Sequence, residues 1–138
     1  MPLKTGPVDW QGEVMLKASL PSSLALMLKI GSKECKVDLP LDRTIHLGRV
    51  DPNIDLAPNI DLAQDAPTDQ GVARLHAAIF RTEYGVLVED LGSFTGTYIN
   101  SEKLDPFLPE TLRDGDILQV GKVSIKVHFQ ESSVPSAV

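Results

Sequence analysis

Short runs in which every second residue is apolar dominate this chain. They cover residues 24–30, 35–39 and 123–129, and turn residues at 31–34 separate the first two. Because successive side chains of a β-strand point to opposite faces of a sheet, each run predicts a strand with one apolar face. Further short strands with turn signals between them, and almost no helical periodicity, predict an all-β sandwich or barrel.

The size and charge of the chain limit its possible functions. It has 138 residues, of which 42% are hydrophobic, and this is enough for one domain with a buried core. The formal net charge of -6 argues against a nucleic-acid partner, because such partners select basic surfaces. The single cysteine, Cys35, excludes an internal disulfide and favours a cytoplasmic location. The longest apolar run, at 24–28, is far too short for a membrane span.

The composition along the chain divides it into three parts. Residues 1–20 are mixed in character and read as an N-terminal extension that carries the only tryptophan, Trp10. Residues 21–130 contain the alternating runs and form the predicted domain. Residues 131–138 are expected to be a flexible C-terminal tail.

A tandem repeat interrupts the predicted domain. Residues 53–57 and 59–63 have the same sequence, Asn-Ile-Asp-Leu-Ala, with one residue between the two copies. Two copies are too few for a solenoid. We interpret the first copy as a duplicated insertion and the second as a short strand, followed by a polar acidic loop at 64–71.

No set of residues predicts catalysis, a cofactor or a metal site. A calcium-binding EF-hand loop starting at Asp51 would need glycine and glutamate where the chain has Leu56 and Leu62. The three histidines, at 46, 76 and 128, lack the neighbouring cysteines or carboxylates of a zinc site. No nucleophile and base converge in the sequence, and we therefore expect a protein that is not an enzyme.

Four short motifs lie at the ends of predicted strands. They are Gly48-Arg49, Arg-Leu-His at 74–76, Gly-Ser-Phe-Thr-Gly-Thr at 92–97 and Tyr-Ile-Asn at 98–100. Residues at strand ends are typical of binding sites, because a loop there presents its side chains from a rigid scaffold.

The order of these motifs resembles the forkhead-associated (FHA) domain over roughly residues 24–129. That family has Gly-Arg, then Ser-Arg-X-His, then Gly-Ser-X-Asn-Gly-Thr. Here Ala73 replaces the first serine, Thr95 replaces the asparagine, and Phe94 stands where threonine or serine is common. The resemblance implies a sandwich of two twisted, mostly antiparallel β-sheets whose loops at one end hold a phosphothreonine peptide.

The resemblance also implies roles for individual residues. Arg49 is expected to contact the phosphate, and Arg74 to line the pocket or contact the peptide. A guanidinium suits this task because its planar, permanently charged donors match phosphate oxygens. Ala73, Phe94 and Thr95 complete the expected peptide-binding set. The expected loop-structural residues are Gly48, His76, Gly96 and Asn100.

The predicted function is therefore a non-catalytic interaction module that binds a phosphothreonine-containing protein partner. Ala73 lacks the hydroxyl donor of the family serine, and Thr95 is too short to make both hydrogen bonds of the family asparagine, so weaker binding is expected. The alternative is a scaffold or oligomerisation domain that binds an unmodified protein surface. Its contacts would come from Phe94, the 51–70 insertion or Trp10.

Overall fold

The computed structural model of the chain describes residues 20–21, 23–49, 60–62 and 72–131. These residues form strands and connecting turns, with no helix among them. Trp10, the first repeat copy, the loop at 64–71 and the tail beyond residue 131 lie outside the described residues. The strands are β1 (Leu24–Ile30), β2 (Lys33–Asp38), β3 (Ile45–Gly48), β4 (Ile60–Asp61), β5 (Ala77–Arg81), β6 (Val86–Asp90), β7 (Thr97–Ile99), β8 (Glu102–Lys103), β9 (Glu110–Leu112), β10 (Ile117–Val120) and β11 (Val123–Glu131).

The strands form two sheets. The six-stranded sheet has the order β2-β1-β11-β10-β7-β8, and every neighbouring pair in it is antiparallel. The five-stranded sheet has the order β4-β3-β5-β6-β9, in which only the β3–β4 pair is parallel. The prediction of an all-β sandwich of two mostly antiparallel sheets is confirmed.

The alternating runs supply the core, as their pattern predicts. On β1 and β11, Leu28 and Val127 are fully buried partners, whereas the adjacent partners Lys29 and Lys126 are exposed. Cys35 is half-buried and packs against the core as a free thiol. The largest fully buried apolar side chains are Leu26, Leu28, Leu39, Ile45, Leu47, Leu62, Ile79, Leu112, Leu118, Ile125 and Val86.

Two elements differ from the sequence-based expectation. The residues directly before Gly48-Arg49 predict a short strand at 44–47, and the observed strand runs from Ile45 to Gly48. No strand is predicted from the sequence after Pro109, but this segment forms β9, which pairs with β6. Only Leu112 of its three residues is buried, so the segment carries too little alternation to predict a strand.

Most of the short motifs found in the sequence lie at one end of the sandwich, which we call the loop end. There β3, β6 and β10 finish, while β5, β7 and β11 begin. In the five-stranded sheet Leu47 pairs with Ala77, which pairs with Asp90. In the other sheet Val120 pairs with both Thr97 and Val123. The segments at 49, 72–76, 91–96 and 121–122 therefore meet at this end.

No helix long and apolar enough to cross a membrane is found among the described residues.

Adjacent residues of β10 provide a matched test of the core. Leu118 is fully buried, whereas Ile117 is 44% exposed on the opposite face of the same strand. We expect Leu118→Ala to lower the free energy of unfolding by about 2–5 kcal/mol, because it removes packed methyl groups and leaves a cavity. Ile117→Ala should cost under about 1 kcal/mol. Urea unfolding of both variants measures the difference, and equal losses would contradict this assignment of the faces.

Candidate functional site

The first element of the site is the residue that follows β3. The backbone N–H of Arg49 donates to the carbonyl oxygens of both Ala73 and Arg74, at 3.1 and 3.2 Å. Its side-chain Nε–H donates to the Val72 carbonyl at 3.0 Å. A guanidinium has five N–H donors, so this bond orients the group while using one of them. The Arg49 side chain is thus held against the segment at 72–74.

Glycine at position 48 makes this close approach possible. A Cβ on Gly48 would lie 1.9 Å from the carbonyl oxygen of Arg74, and both that oxygen and its carbon belong to the backbone. No rotamer change can relieve such a contact. Any side chain at position 48 would therefore push the 73–74 segment away from β3.

Arg49, Ala73, Arg74 and Leu75 line an open hollow of about 420 Å³ at the loop end. Arg49 is half-buried and Arg74 is exposed. Three residues predicted to bind the ligand are thus brought together, and two of them carry guanidinium groups. Two permanent positive charges beside one hollow suit an anion with several acceptor oxygens.

His76 connects this hollow to the next loop. The ring is fully buried; its Nδ1 accepts the backbone N–H of Ala73 at 3.0 Å, and its Nε2 lies 2.8 Å from the Gly96 carbonyl oxygen. Because Nδ1 accepts, the proton of the neutral ring belongs on Nε2, where it is donated to Gly96. Burial lowers the pKa of His76, against the raising effects of the Gly96 carbonyl and of the Asp90 carboxylate. The imidazole is therefore a neutral bridge between two loops.

The loop at 91–96 is organised by Asp90, the last residue of β6. Its carboxylate is buried and accepts the hydroxyls of Ser93 and Thr97 and the backbone N–H groups of Gly92 and Ser93. The Ser93 hydroxyl in turn accepts the N–H of Gly96 at 2.9 Å. These bonds fix the loop from inside, so its shape does not depend on a ligand.

Two residues predicted to contact the peptide lie on this loop. Phe94 is fully exposed, and Thr95 is half-buried. The Tyr98 hydroxyl donates to the Thr95 carbonyl at 3.4 Å. Gly96 has a φ of +93°, which favours glycine, and a Cβ there would lie 3.1 Å from Cε of Lys103. Lys103 therefore brings a further positive charge close to the loop.

Asn100 lies at the other end of the sandwich. Because β7 runs away from the loop end, the turn after it is remote from Arg49. The Asn100 side chain donates to Asp116 and accepts the N–H of Ile117, both at 2.9 Å, and the backbone has a φ of +50°. Asn100 thus lies in a turn at the far end and has no position at the hollow.

Two residues of the site were not singled out from the sequence. Asp90 could have been found, because an aspartate directly before a turn often accepts the N–H groups two and three residues later. Lys103 carries no such signal. It reaches Gly96 only because β8 folds back on β7, with Lys103 opposite Tyr98.

Among the described residues, no group of three or more histidine, cysteine, aspartate or glutamate side chains is placed to hold a metal ion.

The chain belongs to the FHA family. The sequence profile of the FHA domain matches residues 29–121, which is more than half of the chain. FHA domains are protein-interaction modules, and members of the family bind phosphopeptides. The resemblance indicated by the four motifs is thereby confirmed at the level of the family.

Two curated relatives share this region. Protein FraH of Nostoc sp. (strain PCC 7120) is 35% identical over 88 residues, which cover 63% of this chain and 29% of that protein. An FHA domain-containing protein of Arabidopsis thaliana is 32% identical over 109 residues, which cover 78% of this chain and 26% of that protein. The chain thus spans less than a third of the length of these relatives.

Solved structures show the same fold. The FHA domain of a hypothetical Arabidopsis thaliana protein is 33% identical, with a TM-score of 0.61, and the match covers 85% of this chain and 92% of that domain. The FhaA FHA domain, solved in complex with the intracellular domain of another protein, is 28% identical with a TM-score of 0.57. That match covers 77% of this chain and all of that domain.

His76 should make the stability of the domain depend on pH. The folded-state pKa lies below the ordinary value of 6.5, so below about pH 6.5 the unfolded chain binds a proton that the folded domain excludes. Stability should be unaffected by this group above that pH and should fall as the pH falls below it. Urea unfolding between about pH 7.5 and pH 5 measures the slope.

The His76→Gln variant should be less stable at every pH but should show a shallower slope, because the titrating group is gone. His46→Gln is the control, since His46 lies on β3 outside the bridge between the two loops. If His76→Gln kept the full slope of the parent, the neutral buried imidazole would not be the source of the pH dependence.

Proposed function

We propose that this domain binds phosphothreonine-containing segments of protein partners through the loop end. Arg49 contacts the phosphate, Arg74 lines the pocket, and Phe94 and Thr95 contact the peptide beside it. The observation that carries the proposal is the hollow lined by Arg49, Ala73 and Arg74, held next to the 91–96 loop by His76. A phosphothreonine has nearly two negative charges and three acceptor oxygens, which match two guanidinium groups on a fixed scaffold.

Members of the family support this proposal. The structure of the MEK1 FHA domain has been solved with a phosphothreonine peptide of HOP1. That domain is 15% identical to this chain, and at this level the match shows only a shared fold. The FhaA domain, at 28% identity, forms a complex with an intracellular domain. The first was solved with a phosphopeptide and the second with a protein domain, and binding of the same kind is proposed here without a catalytic step or a cofactor.

The affinity should be lower than that of a domain with the full family motif. Ala73 lines the hollow without a hydroxyl, and a hydrogen bond to a charged phosphate contributes about 1.5–3 kcal/mol. The shorter Thr95 loses about 1–2 kcal/mol more relative to asparagine. Together these losses correspond to a factor of about 70 to several thousand in the dissociation constant. We therefore propose weak recognition unless other contacts, such as Phe94, add to it.

The second candidate function is phosphate-independent binding to an unmodified protein surface. The fully exposed Phe94 favours it, because a large apolar side chain at the tip of a fixed loop is a common anchor at protein interfaces. The other residues considered for this role, Trp10 and most of the 51–70 segment, lie outside the described residues.

The wider setting is proposed in the same way. We take the domain as residues 21–130, preceded by an extension and followed by a tail. The first and last strands, Leu24–Ile30 and Val123–Glu131, support these limits to within a few residues. The free thiol of Cys35 fits the cytoplasm, where a signalling module would meet phosphorylated partners.

Titration with matched peptides tests the phosphothreonine function. A peptide selected from a phosphothreonine library should bind the chain, and the same peptide with unmodified threonine should not. Arg49→Ala should weaken binding about ten- to a hundredfold, because it removes charge-assisted hydrogen bonds to phosphate. Arg113→Ala is the matched control, since it removes the same charge from the turn at the other end of the sandwich. Equal binding of both peptides would favour the second candidate function.

Restoring the family residues should strengthen the site. We expect the double variant Ala73→Ser with Thr95→Asn to bind a phosphothreonine peptide at least about tenfold more tightly than the parent. The two changes return a hydroxyl donor and a bifunctional amide to loops that already hold Arg49. Adding Arg49→Ala to this background should weaken binding about ten- to a hundredfold, as in the parent, and so cancel the gain. Isothermal titration of the three proteins measures the affinities. If the double variant bound the peptide no more tightly than the parent, the pocket would not be a phosphate-binding site.

A further inference from the structure

Most of the described lysines of this acidic chain lie on one part of the sandwich. Of the six lysines among the described residues, five lie on the β1–β2 and β10–β11 hairpins, and all five are exposed. Both hairpins belong to the six-stranded sheet, where β1 and β11 are neighbours. These lysines are Lys29, Lys33, Lys36, Lys122 and Lys126.

One of the two hairpins reaches the candidate site. The backbone N–H of Gly121, in the β10–β11 turn, donates to the Gly96 carbonyl oxygen at 3.1 Å. This is the same oxygen that faces His76 Nε2. Lys122 is the next residue, so its exposed ammonium group stands on the turn that borders the 91–96 loop. The basic surface therefore begins where the proposed peptide site ends.

From that turn the basic surface continues along the outer face of the sheet. Two open hollows, of about 320 and about 450 Å³, share Gly31 and Ser124 and so form one continuous depression. Lys122 lines the first hollow. Lys29, Lys126 and the exposed Ile117 line the second. Lys122 lies in the turn directly before β11, four residues before Lys126, so their Cα atoms are at most about 14 Å apart.

Positive charge is in excess along this depression. Lys29 and Lys126 are direct antiparallel partners, and like charges placed opposite each other repel. The Glu34 carboxylate lies 3.6 Å from the Lys29 ammonium, but both side chains are about half exposed, so this pair is screened by water. Further along, His128 faces Asp114 at 3.5 Å. Three ammonium groups, those of Lys29, Lys122 and Lys126, thus line the depression, and the nearby Glu34 carboxylate pairs with Lys29.

We propose that this lysine track (Lys29, Lys122 and Lys126) binds an acidic segment, rich in aspartate and glutamate, that adjoins the phosphothreonine of the same partner. The inference rests on the proposed function of the loop end and extends it along the sheet. The spacing of the lysines suits an extended peptide, whose alternate side chains recur about every 6–7 Å. Exposed ammonium groups on an open face attract several carboxylates in succession and do not form a cage for one anion.

The test compares three peptides. The first has a phosphothreonine followed or preceded by aspartate and glutamate residues, the second has the same phosphothreonine with glutamine and asparagine in those places, and the third is acidic but unphosphorylated. Each is titrated into the parent chain, into Lys122→Gln with Lys126→Gln, and into Arg113→Gln as a control that removes a positive charge at the other end of the sandwich.

We expect the acidic flank to improve binding to the parent about tenfold over the neutral flank at low salt, the scale of a few exposed charge-assisted contacts. The double lysine variant should lose most of this gain while binding the neutral peptide as the parent does. Arg113→Gln should keep the gain. Raising the salt from about 50 mM to about 500 mM should reduce the gain in the parent, because the charges are exposed to solvent.

The outcomes separate the two proposals. Phosphothreonine binding without any gain from the acidic flank would overturn the lysine track and leave the proposed function standing. Lysine-dependent binding of the unphosphorylated acidic peptide, with no effect of phosphate, would uphold the track and overturn the phosphothreonine function. If a second phosphate on the peptide improved binding but carboxylates did not, the lysine track would not be a site for an acidic segment. Lysine-dependent binding to anionic lipid vesicles, with no gain from the acidic flank, would overturn the proposal in the same way.

Discussion

The carbonyl oxygen of Gly96 is the point on which the arrangement of the site depends. It faces His76 Nε2 from the five-stranded sheet at 2.8 Å and accepts the Gly121 N–H from the six-stranded sheet at 3.1 Å. Apolar packing between the sheets is not directional and does not set the position of a loop. The Thr97 hydroxyl also bonds to Asp90 across the sheets, but the two bonds to the Gly96 oxygen hold the end of the loop itself. These two bonds fix the 91–96 loop against Arg49 on one side and against Lys122 on the other. The phosphate hollow, the loop and the lysine track thus share one anchor.

Asp90 adds rigidity to the same loop. A buried carboxylate is costly unless its oxygens accept hydrogen bonds, and here two hydroxyls and two backbone N–H groups satisfy it. The loop is therefore shaped before any partner arrives, and the entropy of ordering it is lost on folding and not on binding. Preorganisation of this kind partly offsets the hydrogen bonds that Ala73 and Thr95 do not make to a ligand. Fewer contacts are needed when the binding residues are already in place.

The sequence predicted the fold well wherever apolar alternation was complete. The runs at 24–30 and 123–129 became β1 and β11, whereas β9 was missed because only Leu112 of its three residues is buried. For the site, motifs at strand ends grouped Arg49 with Arg74, yet strand ends alone do not tell which end of a sandwich a residue occupies. Asn100, for example, follows the end of β7 but lies at the far end of the sandwich, because β7 runs away from the loop end. The position of Lys103 beside Gly96 and the lysine track depend on strand pairing across the sheet, which no local pattern encodes.

The complete exposure of Phe94 has a consequence for how such a domain can diversify. The loop is held by Asp90, by the Ser93 side chain and by backbone groups, and the Phe94 ring buries nothing. A change of residue at this position therefore alters what the domain touches while leaving its folding equilibrium almost unchanged. Selection can thus explore new partners at one position without first acquiring compensating mutations in the core. Domains built on this scaffold can therefore acquire separate binding preferences through single substitutions at the tip of a loop whose shape is held by other residues.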